Sequence, residues 1–325
     1  MSNNPRSPFY GRPKRNPFRP YQSCYWEDYF QGYRLRQKTK YGPLILEYLV
    51  SSFELIKALQ YQHSQVFGFR IDLHFPADIK TPLCYEKNTV MGLFQSNLQR
   101  ELNKAKNKNS TKLNLIWARE CKDATWGKRR RKRQGKEPNA DDTKPHYHSL
   151  ILLNGNSFGW MGSYQPSVNT DGLYQDDTMA HRAIRSWAQA LGDRPHQKMP
   201  GLVHFCERYR FENAPTEDGK STKIRRIKEI VTYDIKREDG PKALVEVMYA
   251  ASYLCKAYSK DVSINAGQRT RCFQTTQIDS DTLTAVWNEE KAKGKIIDPY
   301  GTPLVLSQSV KDEATEGEDE DIDLD

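Results

Sequence analysis

The sequence predicts an α+β fold, an antiparallel sheet with helices packed on one face. Three observations carry this reading. Apolar residues recur every second position over 66–75 and every fourth over 90–102, and the two patterns then alternate as strand, helix, strand, strand, helix, strand.

Residues 66–75 (VFGFRIDLHF) place Phe67, Phe69, Ile71, Leu73 and Phe75 on one face and Arg70, Asp72 and His74 on the other, the pattern of a half-buried strand. Val90, Phe94, Leu98 and Leu102 follow behind Thr89 as a cap and predict an amphipathic helix of about four turns. LNLIWARE (113–120) returns to strand character, and HYHSLILLN (146–154) gives another apolar strand after a long charged connection. Thr178 is placed to cap a helix containing Ile184, Trp187 and Leu191 that stops at Gly192. LVHFC (202–206) and EIVTYDI (229–235) read as shorter strands, and KALVEVMYAASYLCKAYSK (242–260) as a final strong helix. Ahead of them, LILEYLVSSFELIKAL is helical in spacing and is expected to pack on the main body. The order is that of a split βαβ, or ferredoxin-like, arrangement, which supports many functions and fixes none.

The chain has 325 residues, 37% of them hydrophobic, room for one large or two ordinary domains with a real core. No run approaches the roughly 20 apolar residues of a membrane span, and the first residues lack the apolar stretch of a signal peptide, so a cytoplasmic location without membrane contact is expected. Lys and Arg number 50 against 41 acids, but the last fifteen residues hold nine acids and one lysine, which leaves the first 310 with +17. A body this basic attracts polyanions, nucleic acid foremost. The six cysteines form no CxxC pair, so neither a disulfide framework nor a structural zinc cluster is favoured. Four segments are expected: a basic mobile arm over 1–40, too poor in aliphatic periodicity to fold by itself; the main body over 41–275; a C-terminal extension over 276–310; and a disordered acidic tail over 311–325.

His146 and His148 lie two apart in a strand, so both imidazoles project from one face and can hold one divalent cation. Antiparallel pairing with the strand that ends at Glu120 would bring in a carboxylate as a third ligand. Two imidazoles and a carboxylate suit Mg²⁺ or Mn²⁺ once water and a substrate phosphate complete the shell. The same residues also fit two partly exposed strand-end histidines beside a surface acid.

On the predicted 242–260 helix, Tyr249, Tyr253, Lys256 and Lys260 share one stripe, while Leu244, Met248, Ala251, Cys255 and Tyr258 occupy the packing side. Cations beside a phenol favour the phenolate that attack on a phosphodiester needs; a solvated face with packed rings is the other reading. Lys128, Arg129, Arg130, Arg131, Lys132 and Arg133 form an unbroken basic run in the connection between Glu120 and the histidines, suited to phosphate contact without sequence choice. Arg269, Arg271 and Phe273 can supply guanidinium and stacking contacts to unpaired bases, or form a basic loop with one packed aromatic.

FRIDLHF, then WARE with KPHYHSLILLN, then ASYLCKAYSK resemble, in that order, the three motifs of HUH-type rolling-circle replication initiators. More narrowly they resemble the inovirus (filamentous phage and prophage) replication proteins described by the YagK/YfjJ C-terminal domain. The resemblance spans roughly residues 60–275 and implies an HUH palm with histidines preceding the tyrosine. It implies a metal-dependent single-strand DNA endonuclease and strand transferase that nicks and rejoins a rolling-circle origin through a 5′-phosphotyrosine intermediate. His146 and His148 match the metal ligands, Glu120 the acid of the WARE-like segment, Tyr253 the catalytic tyrosine and Lys256 its companion lysine. Tyr249 would be the second tyrosine of initiators that use a pair. Single-stranded or hairpin origin DNA is the implied partner in a bacterial host cell, with a helicase and polymerase borrowed from the host, since the chain has no GxxxxGK[ST] loop. The rival expectation is a DNA-binding regulator on the same scaffold that does not cleave.

Overall fold

An unbroken apolar run such as Leu150–Leu153 specifies a strand covered on both faces, and that is how it sits. A computed structural model describes residues 14–16, 19–37, 42–76, 88–105, 111–121, 145–168, 173–192, 201–215, 222–257 and 271–292. Its elements are β1 (Arg15–Asn16), β2 (Arg19–Tyr25), β3 (Tyr29–Phe30), β4 (Tyr33–Arg34), β5 (Leu44–Ile45), α1 (Leu46–Gln62), β6 (Gln65–Leu73), α2 (Thr89–Lys104), β7 (Asn114–Cys121), β8 (Pro145–Asn154) and α3 (Met179–Ala190). They continue with β9 (Val203–Phe205), β10 (Glu207–Pro215), β11 (Thr222–Ile230), β12 (Thr232–Lys236), α4 (Val245–Leu254) behind a 3-10 turn at Lys242–Leu244, β13 (Phe273–Thr275) and α5 (Ser280–Ala292). The protein is thus a mixed α+β structure built on antiparallel pairing.

The central sheet runs β12–β6–β8–β7–β13, with β9 also paired to β6, and every neighbouring pair is antiparallel. One face carries Phe67, Phe69, Ile71, Leu73, Trp117 and Tyr147 and is covered by α2 and α3 through Phe94, Leu98, Ile184 and Trp187. The other face carries Val66, Ile116, Leu150 and Leu152 and is covered by α1 and α4 through Leu49, Phe53, Val247 and Met248. The expected single helical layer is therefore corrected to two. The polar side of the 66–75 strand is not solvated either: Arg70 is only 5% exposed beneath α4. Its alternation marks a polar patch inside the protein, not a surface.

Residues 19–37 also depart from expectation, because they pack instead of forming part of a mobile arm. β1, β2 and β5 make a small sheet in which Cys24 pairs with Ile45, and Cys24, Phe30, Tyr33 and Leu35 are buried. These side chains cannot build a core among themselves, but α1 provides one: the Phe30 and Phe53 rings meet edge-on at 6.0 Å. Residues 1–13 and 293–325, including the acidic tail, lie outside the described residues.

Local signals held at some termini and failed at others. The Thr178 hydroxyl accepts from the His181 N–H at 3.1 Å, and Gly192 past the end of α3 takes φ +89°, both as expected. Asn88, not Thr89, precedes α2, in the left-handed region at φ 59° and without a side-chain cap. The helix predicted over 242–260 ends at Leu254, six residues earlier than its periodicity suggests, because the chain turns there to join β5. The Ile45 N–H donates to the Cys255 carbonyl at 2.8 Å, and Lys256 bridges to Leu44. The β10–β11 ribbon, β13 and α5 had no clear counterpart in the sequence reading.

Gly68 lies where β6 meets β8 and β12 on the α1/α4 side. A Cβ there would stand 2.9 Å from Leu152 Cδ2 and 3.4 Å from Tyr233 Cβ, both in the core. Gly68→Val is expected to lower stability by about 1–3 kcal/mol, read as a lower urea midpoint at unchanged slope.

Candidate active site

Strand alternation puts Arg70 and Asp72 of β6, Glu120 of β7 and His146 and His148 of β8 on the same sheet face as Leu150 and Leu152, beneath α4. Register does the rest: Glu120 pairs with His146, and Asp72 pairs with His148. Glu120, His146 and His148 are all buried, and their ligand atoms lie within 4.8 Å of one another. The two Nε2 atoms are 3.2 Å apart, and His148 Nε2 is 3.3 Å from Glu120 Oε2. Donor atoms about 2.0–2.2 Å from one ion stand about 3.0–3.5 Å apart, so these spacings are the edges of a coordination shell. The donor set fits a divalent cation, and the reading of strand-end histidines exposed to water does not survive.

Asp72, to which the sequence alone gives no role, stands behind His148. Its Oδ1 lies 2.7 Å from His148 Nδ1, which fixes the ring and turns Nε2 toward Glu120 and His146. Arg70 closes the outer side, with Nη2 3.3 Å from both Asp72 oxygens and 3.4 Å from His148 Nδ1. His74 stacks on His146 with ring centroids 5.3 Å apart. The signal for Asp72 and Arg70 was present in the alternation of β6, but only the pairing of β6 with β8 gives it meaning.

The ring of Tyr253 stands edge-on to His148, with centroids 5.1 Å apart and planes at 83°. Three cations surround it: Lys256 Nζ at 3.4 Å from the ring centroid, Arg70 at 4.2 Å and Arg36 at 4.9 Å. Lys256 is 6% exposed, and its Nζ donates to Glu120 Oε2 at 3.3 Å, so it is neither solvated nor on a helix stripe. Tyr249, one turn earlier, is half-buried; among the described residues no hydrogen bond or ring contact joins it to the histidines. Arg271 is exposed, and Phe273 is buried and stacked on Tyr48 at 4.1 Å, which removes it as a platform for bases. Lys128, Arg129, Arg130, Arg131, Lys132, Arg133, Arg269, Tyr258 and Lys260 lie outside the described residues.

Burial and charge together set the protonation states. Burial disfavours the imidazolium of His148, but the Asp72 and Glu120 carboxylates outweigh it and push this histidine up to about 9. Burial, with the charge on His148 beside it, pulls His146 down to about 3. Burial raises Asp72, yet His148 and Arg70 overcome this and hold it well below the usual carboxylate range. Lys256 is lowered, chiefly by burial, against the pull of Glu120. Without a cation, the site therefore keeps one proton on His148 between the two carboxylates.

These features define a class: an α+β protein with a buried Glu–His–His cluster that could hold a metal ion, faced by a tyrosine in a cationic cage. Residues 26–230 match the YagK/YfjJ C-terminal domain, and the chain belongs to that family. The matched span holds Asp72, Glu120, His146 and His148 but stops short of Tyr253 and Lys256. A protein described as uncharacterized, YagK of Escherichia coli (strain K12), is 24% identical over 184 residues, covering 53% of this chain and 75% of YagK. No solved structure matches the chain. No helix among the described residues is long and apolar enough to cross a membrane.

A cation must displace the His148 proton. Below pH 9 the apparent Mn²⁺ affinity is expected to fall about tenfold per pH unit, measured by paramagnetic titration at pH 6, 7 and 8. Asp72→Asn, which loosens the His148 ring, is expected to weaken Mn²⁺ binding by about 10–100-fold at fixed pH in the same titration.

Proposed function

We propose that the chain is an HUH-type replication initiator that nicks and rejoins single-stranded DNA at a rolling-circle origin. The observation that carries this reading is the placement of Tyr253 edge-on to His148, on the same sheet face as the Glu–His–His cluster. The strand order β9–β6–β8–β7, with α2 and α3 together on one face, supports a ferredoxin-like split βαβ core of the HUH palm kind. The family resemblance in motif order supports it as well.

Glu120, His146 and His148 would hold a divalent cation, which would supply Lewis-acid polarisation of the scissile phosphate. Tyr253 gives up its phenolic proton and attacks the phosphorus. The bond from phosphorus to the 3′ oxygen breaks, that oxygen takes up a proton, and the 5′ phosphate remains on Tyr253 as an ester. A later 3′-hydroxyl reverses the step and rejoins the strand without ATP, because one phosphodiester bond replaces another. Lys256 and Arg70, already against the ring, are placed to stabilise the negative charge that grows on the phosphoryl oxygens. Asp72 acts through His148 as a positioning residue.

With Mn²⁺ and a random-sequence pool of single-stranded oligonucleotides, the protein is expected to form an adduct that survives denaturing electrophoresis. Tyr253→Phe should abolish it and Tyr249→Phe should retain it. The His146→Ala, His148→Ala double variant should reduce it by about 10²-fold or more. DNA binding with no adduct under any of these conditions would favour the regulator that does not cleave.

A further inference from the structure

The outer face of β2 carries a built arrangement of aromatic and cationic groups that the site chemistry does not use. Tyr21 is 70% exposed, the more so for a tyrosine in a paired strand. One guanidinium lies at its backbone carbonyl and another at its hydroxyl. Arg15 Nη1 donates to the Tyr21 carbonyl at 3.4 Å and to Ser23 Oγ at 2.9 Å. Arg19 Nη1 reaches the Tyr21 hydroxyl at 3.5 Å while its Nη2 donates to Cys272 Sγ at 2.9 Å.

The strand beneath is held rigidly. On its inner side Cys24 is buried, Asn16 donates to Gln22 at 2.9 Å, Gln22 donates to the Tyr48 hydroxyl at 2.6 Å, and the Ser23 N–H donates to Glu47 at 2.9 Å. Both carboxylate oxygens of Glu47 are engaged by that backbone N–H, at 2.9 and 3.0 Å. An exposed ring with one guanidinium at its hydroxyl and another at its backbone carbonyl meets the requirements of an unpaired nucleotide: a π face for the base and cations close by for its phosphates.

Its position relates it to the active site. Cys272 accepts from the Arg119 N–H at 2.9 Å, Phe273 pairs with Ala118, and Ala118 pairs with His148. The backbone at Cys272, whose Sγ Arg19 touches, therefore lies about two strand spacings, ~10 Å, from the histidine strand.

We propose that Arg15, Tyr21 and Arg19 form a binding platform for unpaired nucleic acid that leads a single strand toward the Glu120–His146–His148 cluster. Its delivery role rests on the nuclease reading; its binding role does not. The test is fluorescence anisotropy with a labelled oligothymidylate of twenty nucleotides and a duplex of equal length. Tyr21→Ala is expected to weaken binding of the single strand by about 5–100-fold, with Tyr21→Phe close to wild type. Arg15→Gln should lower the slope of log affinity against log salt by about 0.7. Unchanged Mn²⁺ titration and melting temperature in each variant exclude misfolding as the cause. Single-strand affinity unaltered in both Tyr21→Ala and Arg15→Gln would overturn the platform, as would equal losses for duplex and single strand in Tyr21→Ala. Wild-type protein that binds the oligonucleotide through these residues yet forms no adduct would overturn the nuclease reading and leave the platform standing.

Discussion

A closed circuit of buried charge over one face of the sheet governs this structure. Arg70 meets Asp72 at 3.3 Å, Asp72 meets His148 at 2.7 Å, His148 meets Glu120 at 3.3 Å, and Glu120 meets Lys256 at 3.3 Å. The two cations at the ends, Lys256 and Arg70, return over the ring of Tyr253. Any one of these ions alone beneath α4 would cost several kcal/mol, whereas the alternation of sign lets them share the cost of leaving water. The proton on His148 belongs to that alternation, and a divalent cation can take its place with the same sign.

The circuit depends on register more than on any single side chain. β6, β8 and β7 each contribute alternate residues, and a slip of one residue in any of them would turn its polar groups into the opposite core, against Phe94 and Trp187. The apolar residues that share these strands, Ile71 and Leu73 on β6, Tyr147 and Ile151 on β8, and Leu115 and Trp117 on β7, hold the register from the other face. Packing of α2 and α3 thus fixes the chemistry on the far side of the sheet. α1 and α4 then exclude water from it and bring Tyr253 and Lys256 in from another part of the chain.

The sequence was most legible where one signal sufficed. The HxH spacing, the strand ending at Glu120 and the alternation in 66–75 identify three residues that could hold a metal ion and the polar face behind them, because period-two geometry is local. It was least legible where burial depended on a distant partner. The segment over 19–37 looks unable to fold by itself, and α1 supplies the core it lacks. Lys256 falls on a stripe of the predicted helix, yet the helix stops early because β5 offers Cys255 a competing backbone partner. Propensity describes a segment alone, and both outcomes were decided by contacts between segments.

The sequence by itself determined which residue types alternate along each strand, where helices begin at Thr178 and end near Gly192, and that two histidines share a face, because each follows from backbone geometry within a few residues. Only the tertiary structure decided that Asp72 stands behind His148, that Lys256 pairs with Glu120, that Arg36, Arg70 and Lys256 enclose Tyr253, and that helices cover both sides of the sheet. The Asp72–His148, Glu120–Lys256 and Arg70–Tyr253 contacts join residues more than seventy positions apart. They are set by the balance between burying apolar surface and pairing every charge that is buried with it.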